Sequence, residues 1–208
     1  NDLAWLSDGR SLLLIATDEG SLFLQKIWQL SYPNGEARKL TNDFNIYEGL
    51  SLTADSKMIV TTQVSQAANI WLALAGATFP TRQITTRDSN YLGLSWTQHG
   101  ELVYASDISG SWDIWIRSPE GNEKQLTVNK NGNLLPSVSP DGRYVFFTSV
   151  RSEGVNIWRM DSDGGNAKQI TNGNLDHSAS CSPDGKWLVY VHDTFDKSTV
   201  WKVSTEGG

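Results

Sequence analysis

The residues with reactive side chains are few, and their spacing argues against most chemistry. The chain of 208 residues has three histidines, His99, His177 and His192, and one cysteine, Cys181. The histidines fall in no close metal-ligand spacing. His177 and His192 can meet across a hairpin, whereas His99 belongs to a turn at the opposite end. Cys181 stands between two serines in a position filled elsewhere by Trp5, Leu52, Trp96 and Val138, so it reads as a small buried hydrophobe. A lone cysteine also excludes an internal disulfide. The stretches GLSLT at 49–53 and GLSWT at 93–97 approach the Gly-x-Ser-x-Gly nucleophile turn, but each has Thr where the last Gly is required. Asp161 and Asp163 are turn formers, too few in ligands for a calcium loop. No cofactor is implied.

The bulk properties narrow the partners. A formal net charge of −6 with no run of like charges offers no basic surface for nucleic acid or anionic lipid. Apolar runs such as Leu12–Ala16 are far shorter than the roughly 20 residues of a membrane span. No direct membrane contact is expected.

What must position any site is a repeat. A β-branched residue followed by Trp occurs at Ile27-Trp28, Ile70-Trp71, Ile114-Trp115, Ile157-Trp158 and Val200-Trp201, so that successive tryptophans lie 43, 44, 43 and 43 residues apart. A short strand closing in Thr keeps the same rhythm: RKLT at 38–41, RQIT at 82–85, KQLT at 124–127 and KQIT at 168–171. A tight-turn dipeptide completes each period, as Asp8-Gly9, Asp55-Ser56, His99-Gly100, Asp141-Gly142 and Asp184-Gly185. Pro or Asp followed by Gly suits a turn because Gly accepts a positive φ. No long window has a 3.6-residue apolar period. Four short antiparallel strands in about 43 residues is one propeller blade. The prediction is therefore an all-β fold, a single β-propeller over 1–208 of four-stranded antiparallel blades. The blades are 2–41, 49–85, 93–127, 135–171 and 178–208, the last lacking its outer strand.

The second strand of each period is a continuous apolar run, which implies burial on both faces. Trp28, Trp71, Trp115, Trp158 and Trp201 are expected to fill the space between blades. The hairpin around Asp18–Gln25, three residues longer than its counterpart in the last period, is expected to protrude.

The motif SPDGR at 139–143, with NIWRMDSDGG at 156–165 and KQIT at 168–171, resembles the TolB type of WD-repeat-like propeller, and SPDGK at 182–186 with VWKVSTEGG at 200–208 follows it to the last residue. Periods one to three depart from the pattern: LSDGR at 6–10 lacks the Pro, TADSK at 53–57 lacks Pro and Gly, and TQHGE at 97–101 lacks Pro-Asp, so looser turns are expected there. Residues 27–63 are also similar to propeller regions attached to bacterial serine/threonine protein kinases and winged-helix regulators, notably of acidobacterial type. That resemblance implies a sensor or protein-interaction module on the extracytoplasmic, periplasmic side of a membrane protein. The chain itself carries no kinase motif.

Propellers commonly bind ligands on the end formed by inter-blade loops and by loops joining second and third strands, an analogy at the level of fold. One column there runs Tyr47, Tyr91, Asn133, Asp176, followed by Glu48 and His177. Asp107, Trp112 and Arg151 lie in the loops between second and third strands. These residues suit a protein or peptide, or a small polar ligand, with Trp112 the aromatic expected to be most exposed; the competing reading makes them solvated loop residues, with the tyrosines packing over the blade tops and Trp112 against a neighbouring loop. The functional expectation is a non-enzymatic binding module of a larger signalling protein. A propeller accompanying a prolyl-oligopeptidase-like hydrolase or a lyase, or a purely structural repeat array, are the alternatives. The open edge of the fifth blade invites a further strand from a longer chain or a homo-oligomer.

Overall fold

The computed structural model describes residues 2–17, 25–43, 45–64, 67–76, 82–86, 89–128, 132–151 and 154–208. The hairpin expected to protrude falls on 18–24, outside the described residues. All regular structure among the described residues is β, and no helix there is long and apolar enough to cross a membrane. The chain divides into two compact units, 1–66 and 67–208.

In the first unit, β1 (Leu3–Trp5), β2 (Ser11–Thr17), β3 (Gln25–Ser31) and β4 (Ala37–Lys39) form an antiparallel sheet in chain order, and β5 (Ile46–Leu52) pairs with β6 (Ile59–Val64). In the second unit, β7 (Trp71–Leu72) pairs with β8 (Arg82–Gln83). β9 (Tyr91–Trp96), β10 (Leu102–Ser106), β11 (Asp113–Arg117) and β12 (Glu123–Gln125) make the third blade. β13 (Gly132–Val138), β14 (Tyr144–Arg151), β15 (Gly154–Asp161) and β16 (Lys168–Gln169) make the fourth. β17 (Asp176–Cys181), β18 (Trp187–Asp193) and β19 (Ser198–Ser204) make a three-stranded fifth. These are propeller blades. Residues 49–85, expected as one blade, contain two separate hairpins.

The turn between first and second strands forms even where its sequence is degenerate. In SPDGR, Ser139 Oγ donates to Asp141 Oδ1 at 2.6 Å and accepts from the Tyr144 N–H at 3.0 Å. In TADSK, Thr53 Oγ1 donates to Asp55 Oδ1 at 2.6 Å and accepts from the Met58 N–H at 3.1 Å. The looser turn expected there is absent: Ser56 adopts the left-handed conformation (φ 55°) that Gly142 holds in the fourth blade (φ 71°).

The closing Thr has a specific task. Thr41, Thr85, Thr127 and Thr171 each accept, on Oγ1, the backbone N–H of the isoleucine in the Ile-Trp pair, at 3.1, 2.8, 2.9 and 3.0 Å. In three periods the hydroxyl also donates to the residue before that isoleucine: Asn69 at 3.3 Å, Asp113 at 2.7 Å and Asn156 at 3.5 Å. The fourth strand is thus stapled to the third beyond its two or three ladder residues.

The core corrects the expectation for the tryptophans. Ile27, Ile70, Ile114 and Ile157 are buried, packing towards the next period: Ile27 with Tyr47 and Leu50, Ile70 with Leu102 and Tyr104, Ile157 with Ala179, Leu188 and Tyr190. Successive strand residues point to opposite faces, so each Trp turns the other way. Trp115 reaches back to the cluster around Ile70. Trp28, Trp115 and Trp158 are half-buried, while Trp71 and Trp201 are 54 % exposed. The second strands behave as expected only in the middle of the second unit, where β10 and nearly all of β14 are buried. In β18 the two faces separate, with Leu188 and Tyr190 buried against the fourth blade and Trp187 and Val189 exposed. Met58, Ile59 and Val60, apolar in sequence like the other second strands, are exposed.

Candidate functional site

Every first strand from β5 onward carries one feature absent from the sequence reading. Gly49, Gly93, Leu135 and Ser178 all have positive φ, between 51° and 66°, each two residues after the column Tyr47, Tyr91, Asn133, Asp176. At each, the pairing with the second strand shifts by a bulge. The bulge turns the start of the strand so that the column residue points into the blade. In the third blade the position is doubly constrained, since a Cβ on Gly93 would lie 2.7 Å from Leu135 Cα.

The column residues are therefore anchors, not solvated loop residues. Tyr47 is buried, and its hydroxyl donates to Asp43. Beside it the fully buried Lys26 donates to the Asn45 carbonyl at 2.8 Å and pairs with Asp43 at 3.4 Å. Burial pushes the Asp43 carboxyl up, but the bonds from Tyr47, the Asn45 N–H and Lys26 outweigh it and hold the group below its usual range. The same Asp43 bond raises the Tyr47 phenol. Glu48, next in sequence, is exposed. Tyr91 is half-buried, with its ring centroid 5.6 Å from that of Tyr104.

Asn133, with no exposed surface, is the hub of the third and fourth blades. Its N–H donates to the Trp112 carbonyl at 2.8 Å. Its side-chain amide donates to Asp113 Oδ1 and Thr127 Oγ1, both at 3.3 Å, and its Oδ1 accepts from Ser149 Oγ at 2.8 Å. Ser149 Oγ in turn accepts from Arg151 Nε at 3.1 Å, and the Arg151 guanidinium stacks 3.4 Å over the Trp158 ring. Partial burial lowers the Arg151 pKa. Asp107 is also buried, holding Ser89 Oγ at 2.6 Å and the Asn90 N–H at 2.9 Å at the entry to β9. Trp112, expected to be the most exposed aromatic, is only half-buried.

The fifth blade carries two His–Asp pairs. Buried Asp176 meets His192 Nδ1 at 2.6 Å and accepts the Gly173 N–H at 3.0 Å. His177 Nε2 lies 2.9 Å from Asp193 Oδ2, and that hydrogen bond is the main cause of the lowered Asp193 pKa. His177 Nδ1 is 2.9 Å from Ser178 Oγ, which completes a Ser–His–Asp chain of hydrogen bonds. The Ser178 N–H donates to Thr148 Oγ1 at 3.3 Å, so this potential oxyanion donor is engaged. No group of three His, Cys, Asp or Glu among the described residues is placed to hold a metal. Cys181 is half-buried, its thiol pKa raised by burial.

The structure thus joins Trp112, Asn133 and Arg151 through one network, and pairs Asp176 and His177 with neighbouring strands. Tyr47 and Glu48 lie in the first unit. The sequence reading missed Asp113, Thr127 and Ser149, although an Asn or Asp before the Ile-Trp pair recurs with the closing Thr and signals the staple.

Comparison with known proteins places this arrangement. A search of curated proteins gives no match. Among solved structures, the chain is similar to a putative TolB from Agrobacterium tumefaciens, at 26 % identity and a TM-score of 0.61, over 99 % of this chain and 77 % of that one. TolB from Acinetobacter baumannii matches at 20 % identity and a TM-score of 0.62, over 100 % of this chain and 52 % of the other. A puromycin-hydrolyzing peptidase of Mycobacterium tuberculosis shares the fold at 15 % identity and a TM-score of 0.52, over 98 % of this chain and 36 % of the peptidase. Residues 56–208 match the TolB beta propeller domain, and with nearly three quarters of its length so matched the chain belongs to that family.

Proposed function

We propose that this propeller is a binding module, the sensor or scaffold part of a larger bacterial signalling protein on the extracytoplasmic side of its membrane, with any catalysis carried by another domain. The observation that carries this reading is the two-tier construction at one end of blades three to five. A buried tier of Asp107, Asn133 and Asp176 fixes the loops. An outer tier of Trp112, Arg151 and His177, each partly exposed, is held in place by it. Polar groups positioned on rigid strands are what recognition of a protein or peptide requires. Membership of the TolB beta propeller domain family supports the same reading. In the first unit Glu48 is the exposed counterpart beside buried Tyr47. Among the described residues the outer edge of β19 pairs with no strand, and such an edge can accept one.

The test is a pair of substitutions in the outer tier of the parent protein. Trp112→Ala and Arg151→Glu are expected to weaken partner capture by about tenfold or more, as for residues central to an interface, at a temperature where circular dichroism shows both variants still folded. Unchanged capture with both variants would overturn the reading.

A further inference from the structure

A second site involves none of Trp112, Arg151 and His177. A cavity of about 450 Å³ opens between β8 and the β11–β12 hairpin, lined among others by Arg82, Thr86, Tyr91, Arg117 and Glu120. A smaller recess of about 140 Å³ adjoins it, with Leu72, Ile84, Trp96, Leu102 and Pro119 in its wall. Arg82 and Arg117 line both. The geometry points to a binding site for a carboxylate carried on an apolar or aromatic group, with the carboxylate at the two guanidiniums and the apolar group in the recess.

The two arginines differ in a useful way. Arg117 is fixed: Nη1 donates to Glu123 Oε1 at 2.8 Å, and the buried Tyr104 hydroxyl donates to the same oxygen at 2.9 Å. Its other nitrogen stays uncrowded because Gly121 has no side chain, and a Cβ there would stand 3.1 Å from Nη2. Arg82 is exposed and forms no ion pair among the described residues. One oriented fork and one adaptable cation suit a carboxylate. Trp96, 53 % exposed, and Leu72 leave apolar surface beside them that a ligand would cover. Glu120 and Glu123 in the same cavity disfavour a dianion such as phosphate. With two arginines balanced by two glutamates, a carboxylate is favoured by position, at Arg82 and the Nη2 side of Arg117, and not by net charge.

The full chain is titrated with N-acetylphenylalanine, N-acetylphenylalanine amide, acetate and a short peptide ending in phenylalanine, followed by amide and indole shifts in NMR. N-acetylphenylalanine is expected to bind saturably, with shifts centred on Trp96, Arg82 and Arg117. The amide, which removes the charge, and acetate, which removes the ring, are each expected to bind about tenfold more weakly. Arg82→Gln is expected to weaken binding similarly while leaving thermal melting unchanged. A peptide as tight as the free acid identifies a chain terminus as the source, and a weaker one a small acid. Absence of saturable shifts, equal binding of the amide, or an unaffected Arg82→Gln variant would overturn the proposal. None of these outcomes depends on Trp112, Arg151 or His177.

Discussion

Asn133 is fully buried, and its side chain bonds to Asp113, Thr127 and Ser149. Its position, one period on from Tyr91 and one before Asp176, was legible in the spacing. Its burial was not, because it depends on Ser149, Asp113 and Thr127 arriving from three other strands or loops. Asn133→Ala leaves those three polar groups short of a partner in a site without solvent, so a loss of about 2 to 3 kcal/mol is expected in urea unfolding. An effect below about 0.5 kcal/mol would mean that the network is not a structural anchor. Asp193 gives a pH signature at the same scale. Its folded pKa is lowered by the bond from His177, so its contribution is present above the ordinary carboxylate range and disappears as pH falls through the lowered value. His177→Ala is expected to lower stability near pH 7, by a difference that narrows as pH falls below about pH 4 because the contribution is then lost in both proteins, read by urea unfolding at the two ends of that range.

At the scale of the element, the turns and closing strands were the most legible parts, because each has local chemistry that repeats. The turn carboxylates Asp55, Asp141 and Asp184 have pKa values lowered by the hydroxyls of Thr53, Ser139 and Ser182, and Asp8 by the Arg10 N–H. They share the acid-side dependence of Asp193, so stability is expected to be flat above about pH 5 and to fall below about pH 4. The Thr staple predicts that Thr171→Val costs about 1 to 3 kcal/mol by stranding the buried Ile157 N–H, again in urea unfolding, whereas valine at an exposed strand threonine would be close to neutral. The bulge was hidden because its residue type changes from period to period: Gly49 and Gly93 advertise a positive φ, but Leu135 and Ser178 do not. Gly93→Ala meets both the unfavourable conformation, about 1 to 2 kcal/mol, and the Leu135 backbone. It is expected to cost more than the same change at Gly142, where no atom lies within 4 Å of the added Cβ.

For the whole molecule, the 43-residue rhythm was sufficient to give the fold, since five Ile/Val–Trp pairs and four closing threonines in register leave little else to fit. It did not tell the two faces of each third strand apart. The isoleucine and tryptophan of a pair are both apolar, and only the direction of the neighbouring sheet decides which is covered. The same ambiguity explains the second strands, which are equally apolar in sequence but buried on both faces only in the third and fourth blades. The assignment of function to one end of the blades rests on how polar residues are layered there. It is tested most directly by placing a photo-crosslinking amino acid at Trp112 or Arg151, and as a control at exposed Lys186 in the β17–β18 turn, in the intact parent protein. The account predicts that the first two positions trap a common partner and that the control does not. Equal trapping at all three, or trapping at Lys186 alone, would contradict it.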